Sequence, residues 1–221
     1  MHHTEHSTVS LLRDHWEWRP EWVPDRACLL WYLTFDRQPD LSRQLEQVHA
    51  CLSDVPQVDV VPPPWLHLTM DDVGFADELA PGEVEQVLAS ARATVTGWTH
   101  PPLALGPLVP MEDSVVLAAG PVPELVGLRD RLRAATSSVL GAGTASRLDE
   151  FRPHVTLAYL NDACEPREVM DPLAPVAGVR VPVTGLRLTL ASVTRRDHHY
   201  QWTARAEVPF PDVGVGVGVR E

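Results

Sequence analysis

The chain has 221 residues and a mass of 24.4 kDa, room for one large domain or two small lobes. Its 44% hydrophobic and 22% charged residues match ordinary globular composition and exclude a disordered or fibrous protein. Eighteen basic against 30 acidic residues give a net charge of −12, which disfavours a general binder of long nucleic acid or of an anionic membrane but leaves room for a pocket that accepts one phosphate.

Residues 1–25 form a polar arm with tryptophans at positions 16, 18 and 22, expected to pack across the domain more than to stack bases. The arm holds no apolar stretch of a secretory signal. The longest apolar run, 27–33, falls far short of the roughly 20 residues that cross a bilayer. Cys28, Cys51 and Cys164 are odd in number and widely spaced, so neither a disulfide framework nor a metal knuckle is expected. These features predict a reduced, cytoplasmic protein.

Residues 27–35 (ACLLWYLTF) read as a buried strand. A helix follows over 40–53, with Leu41, Leu45, Val48 and Leu52 on one face and Asp40 as its N-cap. Val58 to Val61 is a short strand stopped by Pro62, Pro63 and Pro64, and 65–70 (WLHLTM) alternates with period two. A helix over 82–96 and short strands over 103–109 and 114–119 come next. The helix over 123–140 has Pro123 in its first turn and Gly141 at its C-terminal cap. Beyond a small-residue loop, 152–160 alternates again, and 184–194 with 199–208 form two facing strands joined by the turn RRDHH. The pattern is α+β and runs through two similar halves. It assigns 1–25 to the arm, 26–208 to a single two-lobed domain and 209–221 to a flexible tail.

The two halves share His-x-Thr followed by an apolar residue, once as His67-Leu68-Thr69-Met70 and again, 87 residues later, as His154-Val155-Thr156-Leu157. Composition alone predicts about 0.6 His-x-Thr triplets, and two further copies lie in the polar arm without alternation around them. The informative signal is the duplicated triplet on two matched strands. On a strand, residues i and i+2 share a face. His67 and Thr69 are therefore expected on an open face over a core of Leu68 and Met70, and His154 and Thr156 over Val155 and Leu157.

Two imidazoles near their ordinary pKa can serve as base and acid at neutral pH. Two hydroxyls can donate to the non-bridging oxygens of a phosphate. That set fits in-line displacement at a phosphodiester without a metal, so no cofactor is expected. The spacing leaves open which histidine is base and which acid.

The pair WLHLTM and RPHVTLAY resembles the 2H phosphoesterase superfamily, and within it the 2′,5′ RNA ligase-like and cyclic phosphodiesterase proteins, over roughly residues 26–208. The resemblance implies a two-lobed, duplicated α+β fold with pseudo-twofold symmetry around a central cleft. It implies His67 and His154 as the catalytic pair and Thr69 and Thr156 as the phosphate-binding pair. The implied partners are 2′,3′-cyclic phosphates, related cyclic nucleotides or 2′,5′-linked ends. Asp71-Asp72 departs from the family pattern; if Asp72 lies near the cleft, its charge repels a second phosphate and raises the pKa of a nearby histidine. A small substrate with one phosphate, acted on by a monomer, is the expectation.

Trp65, Phe75, Arg152 and Tyr159 flank the motifs as candidates to line the substrate, against the plainer reading of core or surface positions. Asp197, His198 and His199 sit in a predicted turn without the spacing of a metal site, and Arg195 and Arg196 read as solvated. No Gly-rich phosphate loop occurs. A nucleotide- or RNA-binding module that keeps the cleft without turnover, and a ligase of 2′,5′ ends, are the alternative functions.

Overall fold

The computed structural model describes residues 11–17, 21–35, 38–98, 102–141 and 151–210. Trp18, the loop over 142–150 and the tail from 211 onward lie outside the described residues.

Strand β1 (Cys28–Phe35) is buried on both faces, which explains its unbroken apolar sequence. Leu29, Trp31 and Leu33 join the main core beneath the helices, whereas Cys28, Leu30 and Tyr32 join a second apolar cluster on the opposite side. Antiparallel to β1 run β3 (Leu68–Phe75) and β8 (Leu186–Arg196), and β9 (His199–Val208) completes a four-stranded sheet in the order β3-β1-β8-β9. A five-stranded sheet orders β2 (Val58–Val60), β6 (His154–Leu160), β5 (Ser114–Gly120), β4 (Leu103–Met111) and β7 (Val181–Val183).

Among the described residues, four helices cover the outer faces: α1 (Pro39–Leu52), α2 (Glu83–Val95), α3 (Val122–Leu140) and α4 (Pro166–Leu173). Helix α2 packs on α3, α3 on β3, and α1 on α4. The α1 stripe of Leu41, Leu45, Val48 and Leu52 is buried as its spacing predicts. Its N-cap is Gln38 in place of Asp40, because Pro39 is preorganised for the first helical position. Asp40 instead lies in the first turn, where it pairs with Arg43 at 2.8 Å. Gly141 caps α3 with φ of 89°.

The architecture is the expected mixed α+β, but the sheets are not the two linear halves of the chain. Strand β2 from the first half joins β6, while β8 and β9 from the second half join β1. The strand expected over 65–70 starts later: Pro63–Trp65 form one 3-10 turn, since prolines cannot donate to a ladder, and pairing begins at Leu68. Helix α4, with its Glu165–Glu168 capping box, and the three-residue β7 add to the elements expected from sequence.

Asp71 and Asp72 are neighbours with opposite fates. Asp71 is 1% exposed and faces α3, where Arg133 lies at 3.1 Å and Arg129 at 3.5 Å. Removing the Asp71 carboxylate would cost about 3–5 kcal/mol, because it is the charge that both guanidiniums share. The pair therefore fastens α3 to the strand that carries Thr69.

Candidate active site

Each motif histidine is held in the same way. Nδ1 of His67 lies 2.7 Å from the Trp65 carbonyl oxygen, and Nδ1 of His154 lies 2.6 Å from that of Arg152. A carbonyl oxygen only accepts, so both rings carry their neutral-state proton on Nδ1 and leave Nε2 for a ligand. Thr69 follows on β3, opposite Tyr32 of β1, and Thr156 on β6, opposite Val116 of β5. Strands β3 and β6 meet across the junction of the sheets. All four side chains line one cleft of about 540 Å³, within the range of small-molecule sites.

The two imidazoles differ in their surroundings. His67 is 9% exposed and stacks on the Tyr32 ring, with centroids 3.9 Å apart and planes 13° from parallel. Burial pushes its pKa down to about 4, against the Trp65 carbonyl, which favours the charged ring, and with the help of repulsion from His154. Burial also lowers His154, but there the Arg152 carbonyl and the Asp113 carboxylate oppose it. The expectation of two histidines near their ordinary pKa is thus corrected for both, and desolvation is the cause. Asp72 does line the cleft, yet His67 is lowered, not raised, with burial the largest cause.

Of the flanking candidates, Arg152 and Tyr159 line the cleft. Tyr159 is 5% exposed, and Thr156 hydrogen-bonds its hydroxyl. Trp65 and Phe75 are not among the lining residues. Trp65 sits in the 3-10 turn with its ring near His199 and serves His67 through its carbonyl. Phe75 lies at the far end of β3, covered by the Arg26 guanidinium at 3.7 Å and by Trp22. The turn residues Arg195, Arg196 and His198 are engaged outside the cleft, by the Trp16 carbonyl, Asp25 and Asp59 respectively. Among the described residues no cluster of three or more His, Cys, Asp and Glu is arranged for a metal ion.

Several lining residues escape a reading of the sequence. Tyr32 reads there only as strand core. Arg13, Asp14 and His15 come from the arm, Glu112 and Asp113 from the β4–β5 turn, and Ser114 from the start of β5. Arm and turn bring Asp14, Glu112 and Asp113, which with Asp72 outnumber the lining arginines, Arg13 and Arg152. No sequence period marks these positions.

Residues 38–195 match the model of the 2′-5′ RNA ligase superfamily. The chain belongs to this superfamily. The match contains both His-x-Thr motifs and leaves the N-terminal arm outside. Among solved structures, TT0787 of Thermus thermophilus is similar at 18% identity, covering 82% of this chain and 96% of that one, with a TM-score of 0.59. E. coli LigT complexed with 3′-AMP is similar at 19% identity over 85% and 100% of the two chains, with a TM-score of 0.60. LigT in its apo form gives 20% identity over 82% and 96%, with a TM-score of 0.54. These likenesses establish the shared fold of the superfamily. No match was found among curated proteins. Among the described residues no helix is long and apolar enough to cross a membrane.

Proposed function

We propose that this protein is a metal-independent phosphodiesterase that opens 2′,3′-cyclic phosphates or related cyclic and 2′,5′-linked nucleotides. The observation that carries the reading is the pairing of two imidazoles, each tethered through Nδ1 to a backbone carbonyl, with two threonines around one cleft. Superfamily membership supports phosphoesterase or ligase-type chemistry in general.

His67, kept neutral by burial, is the base, and His154, beside the Asp113 charge, is the acid. Nε2 of His67 takes a proton from water as its oxygen bonds to phosphorus. The bond from phosphorus to the 2′- or 3′-oxygen breaks in line, and Nε2–H of His154 protonates that oxygen. Thr69 and Thr156 donate to the non-bridging oxygens, where charge builds in the transition state. Afterwards His67 is protonated and His154 neutral, and exchange with solvent resets the pair.

The 221 residues contain no lysine, so ligation through a lysine–nucleotide adduct is closed to them. Joining of 2′,5′ ends would run as the reverse of the displacement. The deciding experiment is hydrolysis of 2′,3′-cyclic mononucleotides in EDTA across pH. Turnover that survives EDTA and follows a bell-shaped profile supports the paired histidines. Loss of turnover in EDTA, or a rate that climbs steadily to pH 10, overturns them. Tight binding of the cyclic nucleotide without hydrolysis identifies a binding module instead.

A further inference from the structure

The family match begins at residue 38, yet a wall of the cleft is built by residues before it. The arm is laid down by the backbone: the Leu12 amide donates to Cys164 at 2.9 Å, the Arg13 amide to Glu112 at 2.8 Å and the His15 amide to Leu160 at 2.9 Å. Leu12 is fully buried. These bonds run the arm along the end of β6 and the β4–β5 turn.

His15 then joins the two sheets. It is 6% exposed; Nδ1 lies 2.8 Å from Asp113 in the turn of the five-stranded sheet, and Nε2 lies 2.8 Å from the Tyr200 hydroxyl on the four-stranded sheet. Burial alone would raise the Asp113 carboxyl, but hydrogen bonds and charge from His15 bring it below its ordinary range, so it is an ionised acceptor to which Nδ1–H donates. The next residue repeats the bridge. The Trp16 indole N–H donates to Asp59 beside β6, its carbonyl accepts from Arg195 of β8, and its ring stacks on His198 at 5.3 Å.

We propose that residues 13–15 of the N-terminal arm are the specificity wall of the cleft, fixed by His15, and that this wall restricts the site to a substrate of one nucleotide unit with one phosphate. The inference rests on the phosphodiester reading and adds the size and charge of what enters. The wall and the β4–β5 turn line the cleft with Asp14, Glu112 and Asp113 against one arginine, Arg13, which pairs with Glu112 at 3.3 Å, so a polynucleotide leaving the cleft on this side brings its next phosphate against a surplus of carboxylates. Like charges in a partly desolvated cleft are a direct means of rejecting the longer ligand. A single phosphate on the two threonines meets no such penalty.

The test is calorimetric titration with adenosine 3′-monophosphate and with a triadenylate ending in a 3′-phosphate, on the full chain, His15→Ala, His15→Gln and Asp14→Asn. The wild type is expected to favour the monophosphate. His15→Ala frees the wall and reduces that preference about 10-fold, mostly by tightening the triadenylate. His15→Gln, whose amide can still donate to Asp113 and accept from Tyr200, restores much of it. Asp14→Asn keeps the oxygen that accepts from the Trp16 amide and needs no buried anchor, so it remains informative if His15→Ala fails to fold; it tightens the triadenylate a few-fold. A wild type that prefers the triadenylate, or a preference unmoved in Asp14→Asn and in any folded His15→Ala, overturns the wall. Because binding is read without turnover, an inactive wild type that still shows the preference overturns the phosphodiesterase reading alone.

Discussion

The motifs around His67 and His154 solve one local problem alike and then diverge. Both hold Nδ1 on the carbonyl two residues upstream, and both put a threonine two residues downstream on the same side of the strand. What differs is the medium. His67 stacks on a buried tyrosine, whereas among the described residues no ring stacks on His154, which instead feels the Asp113 carboxylate. A duplicated backbone therefore supplies two equivalent nitrogens, and burial lowers the pKa of both rings, opposed at His154 by the Asp113 carboxylate. In the proposed mechanism, acid and base are set by packing and not by the motif.

The largest effects come from deleting either side of that comparison. His67→Ala and His154→Ala should each lower kcat/KM by about 10²- to 10⁴-fold, with the double variant little worse than the poorer single one. The sign of the pH dependence separates them. A base must be neutral, so activity rises as pH climbs through about 4, the value of His67. An acid must be protonated, so activity falls as pH climbs through the value of His154, which lies below the ordinary 6.5. Residual activity in His67→Ala should lack the acidic limb, and that in His154→Ala the alkaline one. The opposite losses, measured as kcat/KM against pH, would exchange the two roles.

Next in size are the hydroxyls. Thr69→Val and Thr156→Val keep the side-chain shape and remove a donor, at a cost of about 10- to 100-fold in kcat. Thr156 is shared with Tyr159, so its loss also frees a buried phenol that needs a partner. Calorimetric unfolding should therefore show Thr156→Val destabilised more than Thr69→Val. Equal stabilities would mean that Tyr159 contributes nothing to holding the second motif.

Much of this was legible in the sequence, for local reasons. The paired His-x-Thr triplets, the two-sided apolar strand of Tyr32 and the caps of α3 are periodicities and turn chemistries that a short window contains. What stayed hidden depends on distant partners. His15 looks like one histidine among several in a polar arm; it is buried because Asp113 and Tyr200 lie 98 and 185 residues away. The exchange of β2 against β8 and β9 was equally unreadable, since alternation fixes which face is buried but not which strand lies alongside. The lowering of His67 follows from its burial, to which the Tyr32 stack belongs, a contact that no spacing announces.

A smaller effect tests that stack. Tyr32→Leu keeps an apolar residue on β1 but opens the His67 ring to water, so its pKa should move up from about 4 toward 6.5. The acidic limb of kcat/KM then moves to higher pH while the alkaline limb stays. If both limbs move together, the two histidines titrate as one coupled pair and separate assignments lose their meaning.

The smallest and most selective effect concerns Asp113. Its carboxylate favours the protonated form of His154, so Asp113→Asn should lower the His154 pKa further and draw the alkaline limb to lower pH, leaving the acidic limb in place. The same change weakens the anchor of the arm, because Asp113 also accepts from His15. His15→Ala separates the two consequences, since it loosens the arm while the negative charge of Asp113 remains. Selectivity for the mononucleotide should therefore change in both variants, but the alkaline limb should move only in Asp113→Asn. A limb that moves equally in both would mean that the arm, and not the charge of the turn, determines how His154 holds its proton.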